Sequence, residues 1–291
     1  MPAVLALVAV TAVWGLTFVQ VKDAVALYPL FAFLAVRFAI ATLVLALPAR
    51  RPLPALPRRG WVAGTGLGLL LAAGYALQTA GLERTTVSNA GFITGLYVVF
   101  TPLAAVALFR IRVGAAVWVG VTLATAGLAL LSGIGGGDGS GDLLVLAGSA
   151  AYSLQIALME RYAPRYDPVA FTFVEMLAAF AGFAVVAAAL GQIEMPRGWT
   201  VWGALLVTGI FASALGFLVQ TWAQRRTSAT RTALAFALEP AWAALFGFWL
   251  AGDRLGGVAW IGAALIMAGI VVAEPAAART LRRLVPARGS G

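Results

Sequence analysis

The sequence predicts an all-α membrane protein of about ten transmembrane helices, arranged as two inverted five-helix repeats. Three observations predict it. Hydrophobic residues fill 62% of the 291 positions and charged residues only 11%, at a mean hydropathy of +0.95. Soluble domains carry about 25% charged residues, so this surface must be solvated by lipid. Apolar segments of about 20 residues, the length that crosses a bilayer, recur along the chain. Two stretches of the chain also match each other at a common offset.

Taken in order, the spans are placed at 3–21, 29–47, 61–82, 87–109, 113–132, 142–160, 168–190, 200–222, 229–251 and 257–275. The first could be a secretory signal, but it lacks a basic leader and a small-residue cleavage site, so it is read as a retained helix. Between spans stand helix-breaking and basic residues: Pro48, Pro52, Pro54 and Pro57 among Arg50, Arg51, Arg58 and Arg59, then Arg110 and Arg112. These spans divide the chain into a first repeat at 1–132, a Gly-rich loop at 133–141, a second repeat at 142–275 and a basic tail at 276–291.

With the N-terminus inside, fifteen of the twenty Lys and Arg residues fall in inside loops or the tail. Only Lys22, Arg84, Arg197 and Arg254 fall outside, and Arg37 lies within a span. The positive-inside bias therefore predicts a multi-pass protein of the cell (inner) membrane with both termini cytoplasmic. The net charge of +9 forms no patch or basic amphipathic helix, which argues against nucleic acid as a partner.

The repeat is seen where Gln78-Thr79 matches Gln220-Thr221 and Arg84-Thr85-Thr86 matches Arg226-Thr227-Ser228. Trp118-Val119-Gly120 matches Trp260-Ile261-Gly262 at the same offset. Pro102 aligns with Pro240 after a four-residue gap, and Trp14-Gly15 aligns with Tyr152-Ser153. An odd number of spans per copy sets the second copy upside down, a device of transporters, with a site between halves exposed to each side in turn.

Several strings carry a family resemblance: WGLTFVQVKDA at 14–24, NAGFITGLYVVFTPL at 89–103 and LAFALEPAWAALFGFWLAGDRL at 234–255. Their order and spacing resemble the EamA-type branch of the drug/metabolite transporter superfamily. The resemblance implies a ten-helix, two-repeat exporter of metabolites, amino acids or drugs, with a cavity between the halves. Many relatives have a glutamate where this chain has Asp253.

Arg37, Glu175 and Glu239 are ionisable residues inside spans, where they should face protein or a water-filled cavity. Glu239 precedes Pro240, which removes a backbone donor and frees the carbonyl of Phe236. The acid either binds a proton, cation or amine there, or only holds the bend. Pro102, after Thr101, is a second hinge candidate. Arg37 either attracts an anionic group or pairs with Glu239, Glu175 or backbone carbonyls. Glu175 is read as structural, or as part of a cytoplasmic vestibule, with no counterpart in the other repeat.

Trp14, Tyr75, Gln78, Asn89, Tyr97, Tyr152, Gln155, Phe217, Gln220 and Trp242 are the candidate cavity wall. Aromatic rings with a few directed polar groups suit an amphipathic organic solute. Each residue alone also fits helix packing or the membrane interface.

Enzymatic readings are poor. Without Cys or His there is no thiol nucleophile, His base or common zinc or haem site, so no metal or cofactor is expected. Gly135-Gly136-Gly137-Asp138 and Tyr166-Asp167 mimic intramembrane aspartyl protease motifs, but in reversed order and in loops on opposite faces. No phosphate-binding GxxxxGK[ST] loop exists. The leading expectation is a secondary transporter whose partners are the bilayer, a small organic solute and, as a coupling candidate, protons. A non-transporting scaffold or sensor of the same fold is the alternative.

Overall fold

The computed structural model describes residues 2–85, 87–110, 112–132, 139–246 and 256–273. Among these residues every regular element is helical. The long helices are α1 (Pro2–Val25), α2 (Leu30–Ala49) and α3 (Arg58–Leu82), then α4 (Val87–Gly95) and α5 (Tyr97–Phe109), then α6 (Ala115–Ser132). They are followed by α7 (Gly139–Tyr162), α8 (Pro168–Ala189), α9 (Gly198–Val207), α10 (Gly216–Gln224), α11 (Ala229–Phe236), α12 (Glu239–Phe246) and α13 (Gly257–Ala273). A π-helical segment, Thr208–Leu215, joins α9 to α10.

Among the described residues, six stretches are long and apolar enough to cross a membrane: Leu30–Ala49, Arg58–Leu82, Ala90–Phe109, Gly139–Arg165, Pro168–Ala189 and Gly198–Gln224. Shorter apolar helices cover Pro2–Thr17, Ala115–Leu130 and Trp260–Ala273. Their outward faces are apolar as well: Leu43, Leu69, Val119, Val185 and Ile261 are all more than half exposed. Water would penalise such a surface and lipid does not, so this is an all-α, multi-pass membrane protein.

Local chemistry explains where the helices start and stop. Asp167 caps α8 by accepting from the Val169 and Ala170 amides at 2.9 and 3.1 Å, with Pro168 at the first helical position. The α11 start is served by Ser228, and by Glu160, whose Oε2 accepts from the Ala229 amide at 2.7 Å. Arg110 closes α5 in the left-handed region at φ 52°, its amide donating to the Val106 carbonyl.

The fourth and ninth expected spans are not continuous helices. The fourth breaks at Leu96, just after Gly95, and the ninth at Ala237–Leu238, just before Glu239-Pro240. A proline costs least in the first turn of a helix, and Pro240 is the second residue of α12. Residues 247–251 of the ninth span, and Asp253, lie outside the described residues, as do the tail and most of the Gly-rich loop. The eighth span holds the π segment, which nothing in its composition announced.

These breaks revise one alignment. Leu82 and Gln224 end α3 and α10, Val87 and Ala229 start α4 and α11, and Tyr97 and Glu239 start α5 and α12. All are separated by one constant interval, the same one that separates Gln78 from Gln220. No gap is needed, so Pro240 does not correspond to Pro102, which sits within α5 well beyond the break.

The bundle is assembled by α2 on α8, α3 on α7 and α8, α1 on α9, α10 and α12, and α6 on α13. The α6–α13 seam is closely packed along its length. A Cβ on Gly269 would lie 2.5 Å from the Gly120 carbonyl oxygen, and one on Gly127 would lie 2.5 Å from that of Gly262. Backbones can meet this closely only where side chains are absent. Since Gly120 opposes Gly269 while Gly127 opposes Gly262, the two helices run in opposite directions.

Candidate functional site

A cavity with an open mouth lies inside the bundle. Ten of the fourteen expected site residues line it. Trp14 comes from α1, Arg37 from α2, and Tyr75 with Gln78 from α3. On the other side stand Tyr97 of α5, Tyr152 and Gln155 of α7, Phe217 and Gln220 of α10, and Glu239 of α12. Trp242 does not reach it. Its indole stacks on Phe246 at 6.1 Å within an apolar cluster, and its Nε1 is buried without an acceptor. Neither Pro102 nor Pro240 is in the wall, and the Asn89 side chain lies outside the described residues.

The aromatic wall comes in matched pairs. Trp14 meets Phe217 at 5.6 Å between ring centroids, and Tyr152 meets Tyr75 at 5.5 Å. Gly216 makes room for the Trp14 indole and Gly74 for the Tyr152 ring. Tyr75 also meets Phe217 at 6.4 Å, linking the two pairs.

Arg37 is 4% exposed, and the ion pair considered for it does not form. Its Nε donates to Ser213 Oγ at 2.8 Å and its Nη2 to the Tyr75 hydroxyl at 3.1 Å. The guanidinium carbon lies 4.8 Å from the Tyr75 ring centroid, a favourable cation–π distance. Two hydroxyls and a ring orient the cation without cancelling it. Ser213 belongs to the π segment, whose Ala212 carbonyl also accepts from Trp14 Nε1 at 2.8 Å. A π turn misaligns the usual ladder and so redirects backbone groups, and such turns gather at functional sites.

Polar contacts continue around the wall. The Tyr152 hydroxyl donates to Gln78 Oε1 at 3.0 Å, and Gln78 Nε2 donates to Thr94 Oγ1 at 2.9 Å. Tyr97 and Glu239 both line the cavity. On the α7–α10 side, Gln220 Nε2 donates to Gln155 Oε1 at 3.0 Å and to Gln224 Oε1 at 2.9 Å. Gln224 Nε2 in turn donates to the Ile156 carbonyl at 2.8 Å.

Glu175 is more than a packing residue. It is the eighth residue of α8, as Arg37 is of α2. Gly68 packs on the Glu175 carbonyl, and Gly209 packs on that of Arg37. The two thus stand at the same distance from their helix starts, although Glu175 has no counterpart by residue type. Counterparts of opposite charge are invisible to a residue-by-residue match. Ser213 and Thr94 also went unread, because short hydroxyl residues in apolar helices usually bond their own backbone.

Fold and cavity define a multi-pass helical membrane protein with an internal chamber that is polar and aromatic by turns. Comparison with known proteins narrows the class. The EamA-like transporter family matches residues 1–133 and 139–273, so the chain belongs to that family. An uncharacterized transporter of Archaeoglobus fulgidus is 33% identical, covering 92% of this chain and 84% of its own. The uncharacterized inner membrane transporter YedA of Escherichia coli is 26% identical over 92% of this chain and 89% of its own. A solved protein crystal structure superposes with a TM-score of 0.80 at 23% identity, across 96% of this chain and 98% of that one, and shares the fold. These relatives are transporters, not enzymes.

Proposed function

We propose that this chain is a secondary transporter that carries a small organic solute across the inner membrane by alternating access, in the direction of export. In this reading ten spans form two halves, 1–132 and 142–275, inverted relative to each other, with both termini cytoplasmic. The observation that carries it is the cavity wall. Trp14 and Tyr152, Tyr75 and Phe217, and Gln78 and Gln220 are corresponding residues of the two halves, and all of them line one chamber. Antiparallel packing of α6 on α13 supports the inversion. A wall to which two pivoting halves both contribute can be opened to either side of the membrane.

The wall also indicates the solute class. Crowded aromatic rings favour a flat or apolar body, while Arg37 and Glu239 offer one fixed positive charge and one acid. Glu239, at the break before α12, is placed to couple solute or proton binding to bending of the ninth span at Pro240. The break at Leu96, with Pro102 beyond it, is the corresponding hinge of the fourth.

The test is flux in proteoliposomes against a panel of amino acids, amines and nucleobases, with and without a pH gradient. We expect saturable flux of at least one class, and weaker gradient-driven flux with Glu239→Gln. Binding without flux would turn the reading toward a sensor. Identical pH dependence in wild type and Glu239→Gln would remove Glu239 from coupling.

A further inference from the structure

We propose that Glu175 is a proton-binding site, and that Gln155, which both bonds it and lines the cavity, transmits its protonation to the cavity wall. The proposal rests on the transporter reading only for its consequence, not for the site.

Glu175 is completely buried. Its Oε1 accepts from Gln155 Nε2 at 2.6 Å, while its Oε2 has no partner. A carboxylate in such a place is held by a single neutral donor, which is poor compensation for lost hydration. Other ionisable groups on the surrounding helices do not supply more. Arg37 on α2 is engaged by Ser213 and Tyr75. Tyr75 on α3 and Tyr152 on α7 face the cavity, and α10 and the π segment carry no ionisable residue. Arg58 and Arg59 on α3, and Asp142, Glu160, Arg161 and Tyr162 on α7, sit in the first or last turns of their helices.

The hydrogen-bond chain from Glu175 can run either way. At present Gln220 donates to Gln155, Gln155 donates to Glu175, and Gln220 Oε1 is buried and unpartnered. If a proton joins the carboxylate, the new O–H becomes a donor. Rotation of the Gln155 amide then offers its oxygen to Glu175 and its NH2 to Gln220. Gln220 must turn as well, so that its Oε1, idle before, becomes the acceptor while its NH2 gives up the bond to Gln224. Proton entry thus reverses the first two links and serves an acceptor that the ionised form leaves unserved. Gln155 and Gln220 both line the cavity, so the reversal exchanges donors and acceptors presented to a solute.

The experiment is infrared titration of purified, solute-free protein, following the carboxylic-acid carbonyl band as pH changes. Wild type should show a titrating band that Glu175→Gln removes and Glu175→Asp restores at a shifted frequency. Gln155→Leu should keep the band and change both its frequency and its midpoint. A band unchanged by Glu175→Gln, or insensitive to pH, overturns the proposal whether or not the protein transports. Should Glu175→Gln fail to fold, Glu175→Asp and Gln155→Leu decide alone: neither moving the band also overturns it. Flux in the same variants is scored separately, so absent transport would sink the transporter reading and leave the proton site standing.

Discussion

Arg37 and Glu175 stand at matching positions of two matching helices, yet the protein treats them in opposite ways. Arg37 reaches the cavity and is oriented by Ser213 and Tyr75. Glu175 is buried outside the wall and hydrogen-bonds to it through Gln155. A glycine packs near the backbone of each, Gly209 beside Arg37 and Gly68 beside Glu175. Packing is thus repeated while chemistry is not. Where backbones meet, the two halves obey the same steric demand; where side chains face the chamber, each half was free to diverge.

The largest effect should come from the part both halves share. Gly269→Leu forces a side chain into the Gly120 carbonyl, and backbone cannot give way as a flexible side chain can. Overpacking costs about 1–3 kcal/mol in well-filled cores, and we expect at least that, read as a lower unfolding temperature in detergent. Gly66→Leu is the control, since a Cβ there meets nothing within 4 Å. If both variants unfold alike, the α6–α13 seam is not what holds the halves together.

The unshared chemistry should respond unequally. Arg37→Met strips Ser213 and Tyr75 of their donor, and bonds to charged groups contribute about 1.5–3 kcal/mol. Arg37→Lys keeps the charge but cannot reach both hydroxyls as the planar guanidinium does, so it should rescue little. Glu175→Gln removes a poorly compensated charge while keeping shape, and should cost less than about 1 kcal/mol. Equal losses from Arg37→Met and Glu175→Gln would erase the contrast. In flux assays we expect Arg37→Met to lose about tenfold or more, the equivalent of about 1.4 kcal/mol.

How much of this was legible follows from the same division. Length and apolarity announced the spans, and the repeat placed Gln78 with Gln220 and Trp14 with Tyr152. These are properties that a chain carries locally or copies wholesale. The equivalence of Arg37 and Glu175 was hidden, because it depends on counting from helix starts and not on residue identity. The π segment was hidden too: Thr208–Leu215 is as apolar as its flanks, and only packing against Arg37 and Trp14 distinguishes it. Trp242 was misplaced because its depth in the ninth span said nothing of which way the broken helix turns.

The smallest effect is also the finest test of the contrast. Trp14 and Tyr152 correspond, and each spends one hydrogen bond on the opposite half. Trp14 Nε1 donates to a backbone carbonyl, that of Ala212, whereas the Tyr152 hydroxyl donates to a side chain, Gln78, that keeps a second bond to Thr94. Either bond alone is worth about 1 kcal/mol. Trp14→Phe retains ring contact with Phe217 but releases the π segment, which also presents Ser213 to Arg37. Its cost should therefore depend on Ser213: in a double-mutant cycle with Ser213→Ala we expect a coupling of at least about 0.5 kcal/mol. Tyr152→Phe leaves Gln78 free to turn toward the cavity, so its cost should be smaller and simply add to that of Ser213→Ala. Coupling in the second cycle and additivity in the first would mean that the π segment is passive, and that Arg37 takes its orientation from Tyr75 alone.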